Sequence, residues 1–408
     1  MNINPQAPPA AIFRPKFLLA GLILGLVACA LTARIISHRG YHEKFTRFHV
    51  KISPEANYYP TLEEMCGIVR ARCRPDQVLV IIGGNSILHG VGQPADRMWT
   101  VELQRLLGER FVVINFAFRG ALCTDGGAVV AEVLRYEYPQ QIYVANAAPF
   151  NLPAPYGLEP YRYLFWSARN WGLLEDFAPR NELVAEFLQT SVEDARQVEI
   201  RGADLLDQVL RFRDFWNWVG YQYFFTIQSP HTPDFPSAIW ARKKFRDKED
   251  DFDEQPSYQR STFASTAIEM GIVRGFTSLF YQRVDSDGWK LNPQSWDAFL
   301  RVARGAIPDD LKARTLIMLG RNSPYYLKNL TADEMARDNL AYQDGAAAWR
   351  AAGYMSAEYG RDFEARDYGD RAHLTAAGGR KLAAVVAVKV QDMAKDFDYM
   401  KVSLKWKK

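Results

Sequence analysis

Val78-Leu-Val-Ile-Ile-Gly-Gly-Asn-Ser86-Ile-Leu-His-Gly90 is the stretch whose reading decides the fold. Val78 to Ile82 is a short, unbroken run of β-branched and aliphatic residues, the pattern of a strand covered on both faces in a parallel sheet. Such a strand needs helices above and below it. Gly83 and Gly84 let the backbone turn sharply at its carboxyl end, the edge where open α/β sheets place their ligands. Ser86 then opens the following segment, where its amide can face a developing oxyanion and its hydroxyl can face the crevice.

A serine hydroxyl is a weak nucleophile until a neighbouring base takes its proton. Far downstream, Asp370-Arg-Ala-His373-Leu-Thr-Ala-Ala-Gly-Gly379 offers that base. In Asp370-x-x-His373 the carboxylate can fold back onto the imidazole and fix the tautomer that leaves the other nitrogen free to accept the serine proton. Asp367 competes for that role.

These residues resemble the SGNH (GDSL-type) hydrolases. Gly84-Asn-Ser86-Ile-Leu-His-Gly90 is similar to the first block of that family, with Asn85 where aspartate is usual. Val112-Val-Ile-Asn115-Phe-Ala-Phe-Arg-Gly120 is similar to the second, with Ala117 replacing its first glycine. The third block is reduced to Ala145-Asn146-Ala-Ala-Pro-Phe-Asn151 after the strand expected over Gln141 to Ala145, and the fourth is Asp370-x-x-His373 leading into a terminal helix from Leu374 to about Lys395. The resemblance covers residues 76–150 and 311–395. It implies a three-layer αβα fold around a central parallel sheet. It also implies catalysis by Ser86, His373 and Asp370 without metal or cofactor, and an oxyanion hole of the Ser86 and Gly120 amides with the Asn146 side chain. Asn151 is the second candidate for that side-chain donor.

With 408 residues, 48% hydrophobic and 24% charged, the chain can bury a sizeable core. A net charge of +3 argues against a nucleic-acid partner. Phe17 to Ile36 is interrupted by a single charge, Arg34 near its far end. About 20 residues at about 1.5 Å rise cross a hydrocarbon core of about 30 Å, so this reads as a transmembrane signal-anchor. Arg14 and Lys16 precede it while Arg34, Arg39, Lys44 and Arg47 follow, so the flanks do not set orientation. A long following domain can translocate regardless, which places the remainder on the extracytoplasmic, periplasmic side of the inner membrane. Leu26-Val-Ala-Cys29 is a competing lipobox, opposed by the apolar continuation to Ile36. Cys66 and Cys73 lie on one expected helix, Thr61 to Arg74. There their Cα atoms would stand about 10.5 Å apart, beyond disulfide reach unless the helix ends early.

The expected organisation is a tail (1–16), the membrane helix (17–37), a stalk and connecting helix (38–75), the first part of the α/β core (76–150), a mainly helical insertion (151–310), the second part of the core (311–398) and a basic tail (399–408). Arg314 to Leu319 and Gly353 to Tyr359 read as further strands. The insertion is too long for a loop, and Tyr156 to Trp171 and Phe212 to Phe225 are crowded with aromatic residues. They suit either the subdomain's own core or a lid against bilayer, glycan or membrane partner. Arg242 to Glu254 reads as a solvated loop. His89 reads as a pocket-wall or surface residue. His38, His42 and His49 read as stalk residues and not as metal ligands. Arg119 could bind an anionic substrate group or pair within the scaffold.

The layout is similar to that of DltD-type proteins of teichoic-acid D-alanylation and of alginate O-acetylation proteins. It implies a membrane-anchored esterase or O-acyltransferase working through an acyl-serine on cell-envelope polysaccharide, beside a multi-span acyltransferase partner. An extracytoplasmic esterase or lysophospholipase acting on lipid or acetyl esters is the second reading. A non-catalytic scaffold or glycan-binding module is the third.

Overall fold

The structure is a computed structural model that describes residues 15–39, 50–51, 57–58, 62–118, 121, 123, 126–147, a few isolated positions between 168 and 185, 263–278, 281–283, 288–305 and 307–405. Arg119, Gly120, Asn151, His42, His49, the aromatic stretch 212–225 and the charged stretch 242–254 lie outside the described residues. Of the stretch 156–171, only Ala168 is described.

Helix α1 (Pro15–Arg39) is long and apolar enough to cross a membrane, and Phe17, Leu18, Leu22 and Leu24 on it are exposed. Two short strands, β1 (Val50–Lys51) and β2 (Asn57–Tyr58), pair antiparallel before α2 (Leu62–Arg72). The core then alternates strand and helix: β3 (Val78–Ile82), α3 (Ser86–His89), α4 (Trp99–Leu107), β4 (Phe111–Asn115), α5 (Gly127–Val133) and β5 (Gln141–Ala147). After the insertion come α6 (Phe263–Ser278), the antiparallel pair β6 (Tyr281–Arg283) and β7 (Trp289–Leu291), α7 (Pro293–Gly305) and α8 (Asp309–Lys312). The core resumes with β8 (Thr315–Gly320), α9 (Pro324–Leu327), α10 (Ala332–Ala351), β9 (Met355–Tyr359) and α11 (Ala376–Lys405).

Five strands form one parallel sheet in the order β4-β3-β5-β8-β9. β3 lies between β4 and β5, with Ile82 opposite Asn115 on one side and Val144 on the other. All five residues of β3 are buried. Side chains alternate across a strand, so Val78, Val80 and Ile82 enter one apolar cluster with Leu103 of α4 and Val386 and Val390 of α11. Leu79 and Ile81 enter the other, with Ile68 of α2, Val130 of α5 and Trp349 of α10. Helices thus cover both faces, which is why the strand is apolar at every position and not at alternate ones. The chain steps from β3 outward to β4 and then back across to β5, and that reversal opens a crevice at the carboxyl ends of β3 and β5.

Several boundaries differ from the sequence reading. Helix α2 stops at Arg72, before Cys73, yet Cys66 and Cys73 are both free thiols buried in the core. The terminal helix runs to Lys405 and not to about Lys395, through the stretch expected as a basic tail. Residues 396–405 contain neither glycine nor proline, so nothing in the sequence breaks the helix there, and Phe397 is buried.

Trp99, fully buried at the start of α4, donates its Nε1–H to the Leu88 carbonyl at 2.7 Å and so ties α3 to the core. Trp99→Ala is expected to cost about 3–5 kcal/mol. Trp99→Phe should cost less but leave the indole bond unmade, about 1–3 kcal/mol. Denaturant midpoints of the two variants, read by circular dichroism, would test that order; equal midpoints would contradict it.

Candidate active site

The site is assembled from the carboxyl ends of β3, β5 and β8 and from the loop before α11. Gly84 has φ of +87°, and a Cβ there would run into the Asn146 side chain. Glycine is therefore needed twice over, for the turn and for the close approach. Asn85 follows as the N-cap of α3, its Oδ1 accepting from the Ile87 amide at 3.0 Å. Asn85 N–H donates to Asn146 Oδ1 at 3.0 Å, and Asn146 Nδ2 donates back to Asn85 Oδ1 at 2.7 Å. Because a backbone N–H can only donate, this fixes which end of the Asn146 amide is oxygen. Its second Nδ2 hydrogen has no partner among the described residues, nor does the Ser86 amide.

At the end of β4, Asn115 braces the same turn. Its Oδ1 accepts from the Ala117 amide at 3.1 Å and its Nδ2 donates to the Leu88 carbonyl at 3.1 Å. His89, fully buried, bonds through Nδ1 to the Ala117 carbonyl at 2.9 Å and belongs to this scaffold.

The histidine arrives on a tight loop held by Gly369 N–H donating to the His373 carbonyl at 2.8 Å and Thr375 N–H to the Asp367 carbonyl at 2.9 Å. Asp370 Oδ1 accepts both the Ala372 and the His373 amides at 2.8 Å, while its Oδ2 lies 2.5 Å from His373 Nδ1. This explains the Asp-x-x-His spacing: a short carboxylate reaches the amides two and three residues on, and its other oxygen then meets the ring. Burial works to raise the Asp370 carboxyl. The bonds from the His373 ring and the two amides outweigh it and hold the group down at about 2. His373 Nε2 in turn lies 2.7 Å from Ser86 Oγ. Asp367 does something else, accepting from the Glu364 amide at 2.7 Å and pairing with Lys381 at 2.5 Å, which makes it a scaffold carboxylate.

Ser86, His373 and Asp370 thus form one hydrogen-bonded line from the cleft into the loop. Around them, Asn85, Asn146 and Ala147 line an open cleft together with Gly320, Asn322, Tyr342, Arg371 and Ala372. The last group was not singled out from sequence. Asn322 sits just past a strand end, a position that carries a signal, and Arg371 lies inside the Asp-x-x-His motif. Tyr342, on α10, has no local signature. It donates its hydroxyl to the Gly320 carbonyl at 2.6 Å and lies under the Arg321 guanidinium, 3.9 Å from the ring centre. Arg321 is buried and bonds Asp338 at 3.0 Å, Asn339 at 2.8 Å and Glu358 at 2.5 Å, which pins the loop after β8. No cluster of three or more potential metal ligands occurs among the described residues.

Compared with protein-family models and with curated proteins, the chain matches none.

The depressed Asp370 carboxyl makes stability depend on pH at the acid end. A group whose folded value lies below its ordinary one adds stability that is complete above about 3.8 and is lost as pH falls towards about 2. The carboxyl carbon signal of Asp370 should therefore titrate near 2 by NMR, and in His373→Ala its midpoint should move up. A wild-type midpoint at the ordinary carboxylate value would show that the pair does not form in solution.

Proposed function

We propose that this protein is a membrane-anchored serine esterase or O-acyltransferase of the SGNH type, with the three-layer αβα fold of that family. The observation that carries the reading is the Ser86–His373–Asp370 line of hydrogen bonds at the carboxyl edge of a parallel sheet. Ser86 Oγ attacks the carbonyl carbon of an ester while its proton passes to His373 Nε2. Asp370 holds the ring by Nδ1 and balances its charge. The oxyanion forms against the Ser86 amide and the second Nδ2 hydrogen of Asn146, with Gly120 the expected third donor. Collapse of the intermediate expels the alcohol, which takes the proton from His373, and leaves an acyl-Ser86. Water or a sugar hydroxyl then attacks that acyl group, its proton going to the same nitrogen.

The helix Pro15–Arg39 supports a single-pass anchor in the inner membrane, with the core on the extracytoplasmic side. That setting, and the resemblance of the layout, favour acyl groups of cell-envelope polysaccharide as substrate and a multi-span acyltransferase as partner. Hydrolysis and transfer differ only in the acceptor, so product analysis of an acylated glycan with and without free acceptor separates them.

Ser86→Ala should lower turnover by roughly 10⁴-fold or more and abolish labelling by a fluorophosphonate. Labelling that persists in the variant would take the nucleophile's role from Ser86, and none in the wild type would favour a non-catalytic module. Asn146→Ala should lower turnover by about 10²–10³ with little change in KM. Because Asn146 also braces Asn85, its circular dichroism must match the wild type. Should Asn151→Ala carry the loss while Asn146→Ala is silent, the side-chain oxyanion donor is Asn151.

A further inference from the structure

Behind the nucleophile, peptide planes are pinned at both of their polar ends. In the plane joining Gly84 to Asn85, the Gly84 carbonyl accepts from the Phe118 amide at 2.9 Å, while the Asn85 amide donates to Asn146 Oδ1 at 3.0 Å. In the plane joining Ala117 to Phe118, the amide is that same donor to Gly84, and the Ala117 carbonyl lies 2.9 Å from His89 Nδ1. A carbonyl can only accept, so Nδ1 carries the proton. One line of donors thus runs from the His89 ring through two peptides to the Asn146 side chain.

The line closes on itself. The His89 amide donates to the Asn85 carbonyl at 2.9 Å, and the plane that carries this carbonyl also carries the Ser86 amide. His89 therefore fastens the serine turn twice, by its backbone directly and by its ring through Ala117 and Phe118. His89 and Ala117 are fully buried, and Phe118 and Asn146 nearly so. Hydrogen bonds in such a low-dielectric interior are strong, and in series they polarise one another.

We propose that His89 is a positioning residue for the oxyanion hole: its Nδ1–H aligns the Ser86 amide and the Asn146 side chain, the donors that meet the developing charge. This rests on the esterase or acyltransferase reading above and adds a residue to the working parts of that same site.

Without the ring donor, the buried Ala117 carbonyl is stranded. Rotating its peptide to find a new partner takes the Phe118 N–H away from Gly84 and loosens the turn that carries Ser86. Oxyanion donors act over a narrow range of distance, so a small displacement is felt in the transition state and hardly at all in substrate binding.

The test uses the full chain in detergent micelles, with p-nitrophenyl acetate as the ester and a fluorophosphonate as the label. His89→Leu should lower kcat by about 10- to 100-fold with little change in KM, the cost of misplaced rather than missing groups. The rate of labelling should fall in step, because the phosphoryl oxygen seats where the oxyanion forms. His89→Asn should recover most of the loss, since the asparagine amide nitrogen is attached to Cγ as Nδ1 is. His89→Gln carries its nitrogen where Nε2 stands and should not recover it. Packing alone would give the reverse order, glutamine being nearer to histidine in volume, so this pair decides the matter if His89→Leu does not fold. Unchanged kcat in His89→Leu, a loss confined to KM, His89→Gln at or above His89→Asn, or a His89→Asn that fails to fold would overturn the role. If the ester is not turned over, the labelling rates alone carry the comparison. A wild type that labels while His89→Leu labels equally fast would keep the nucleophile and remove the positioning role. A wild type that neither labels nor turns over would remove the reaction, and the role with it.

Discussion

Two asparagines facing each other across neighbouring strand ends hold the site together. Asn146 closes β5 and Asn85 follows β3, and their two hydrogen bonds fix the distance between those ends. Each bond is worth only about 1 kcal/mol net, but an unmade one would strand a buried amide at about 1–3 kcal/mol. The pair also sets orientation. Asn85 can cap α3 only while its Oδ1 faces Ile87, and that cap is what presents Ser86 at the edge of the cleft. Aspartate could stand at position 85 on the same terms. The cap and the Asn146 bond both need an acceptor oxygen, and either residue supplies one.

The serine and the histidine lie 287 residues apart, so nothing local brings them together. They meet because β8 pairs with β5 and the loop before α11 is tied to the segment after β8 through Ser323 and Arg371. Closing so long a loop costs entropy that only the finished sheet offsets. The site is therefore a product of global folding. The buried Arg321 cluster belongs to the same logic, since breaking one partner of a buried ion pair leaves an uncompensated charge. That penalty keeps the strand end bearing Gly320 and Asn322 in one place.

What the sequence made legible follows from the range of the interactions involved. Val78–Ile82 was read with its true bounds because burial on both faces leaves a continuous apolar run, and Thr315–Gly320 was read one residue early for the same reason. Asp370 and His373 were legible because their geometry is local, a carboxylate reaching amides two and three residues away. Asp367 could be set aside only on spacing, and its partner Lys381 shows why it is occupied elsewhere. The Asn85–Asn146 pairing, the Arg321 cluster and Tyr342 were not legible. Each joins elements far apart in sequence, and no periodicity or turn chemistry announces such a contact. The helix end at Lys405 was missed for a different reason: nothing in the sequence stops the helix at Lys395.

The strand β5 ends at Ala147, directly after Asn146, and the helix α6 brings Glu269 against Arg371. Open α/β sheets bind ligands where the strand order reverses, and loops at that edge vary without disturbing the core. Chain inserted there alters what the cleft accepts while leaving the Ser86–His373–Asp370 geometry to the sheet. Ser86, His373 and Asp370 stand on residues 76–147 and 311–395, and α6 reaches the loop that carries the last two through Arg371, which lies between Asp370 and His373 in sequence.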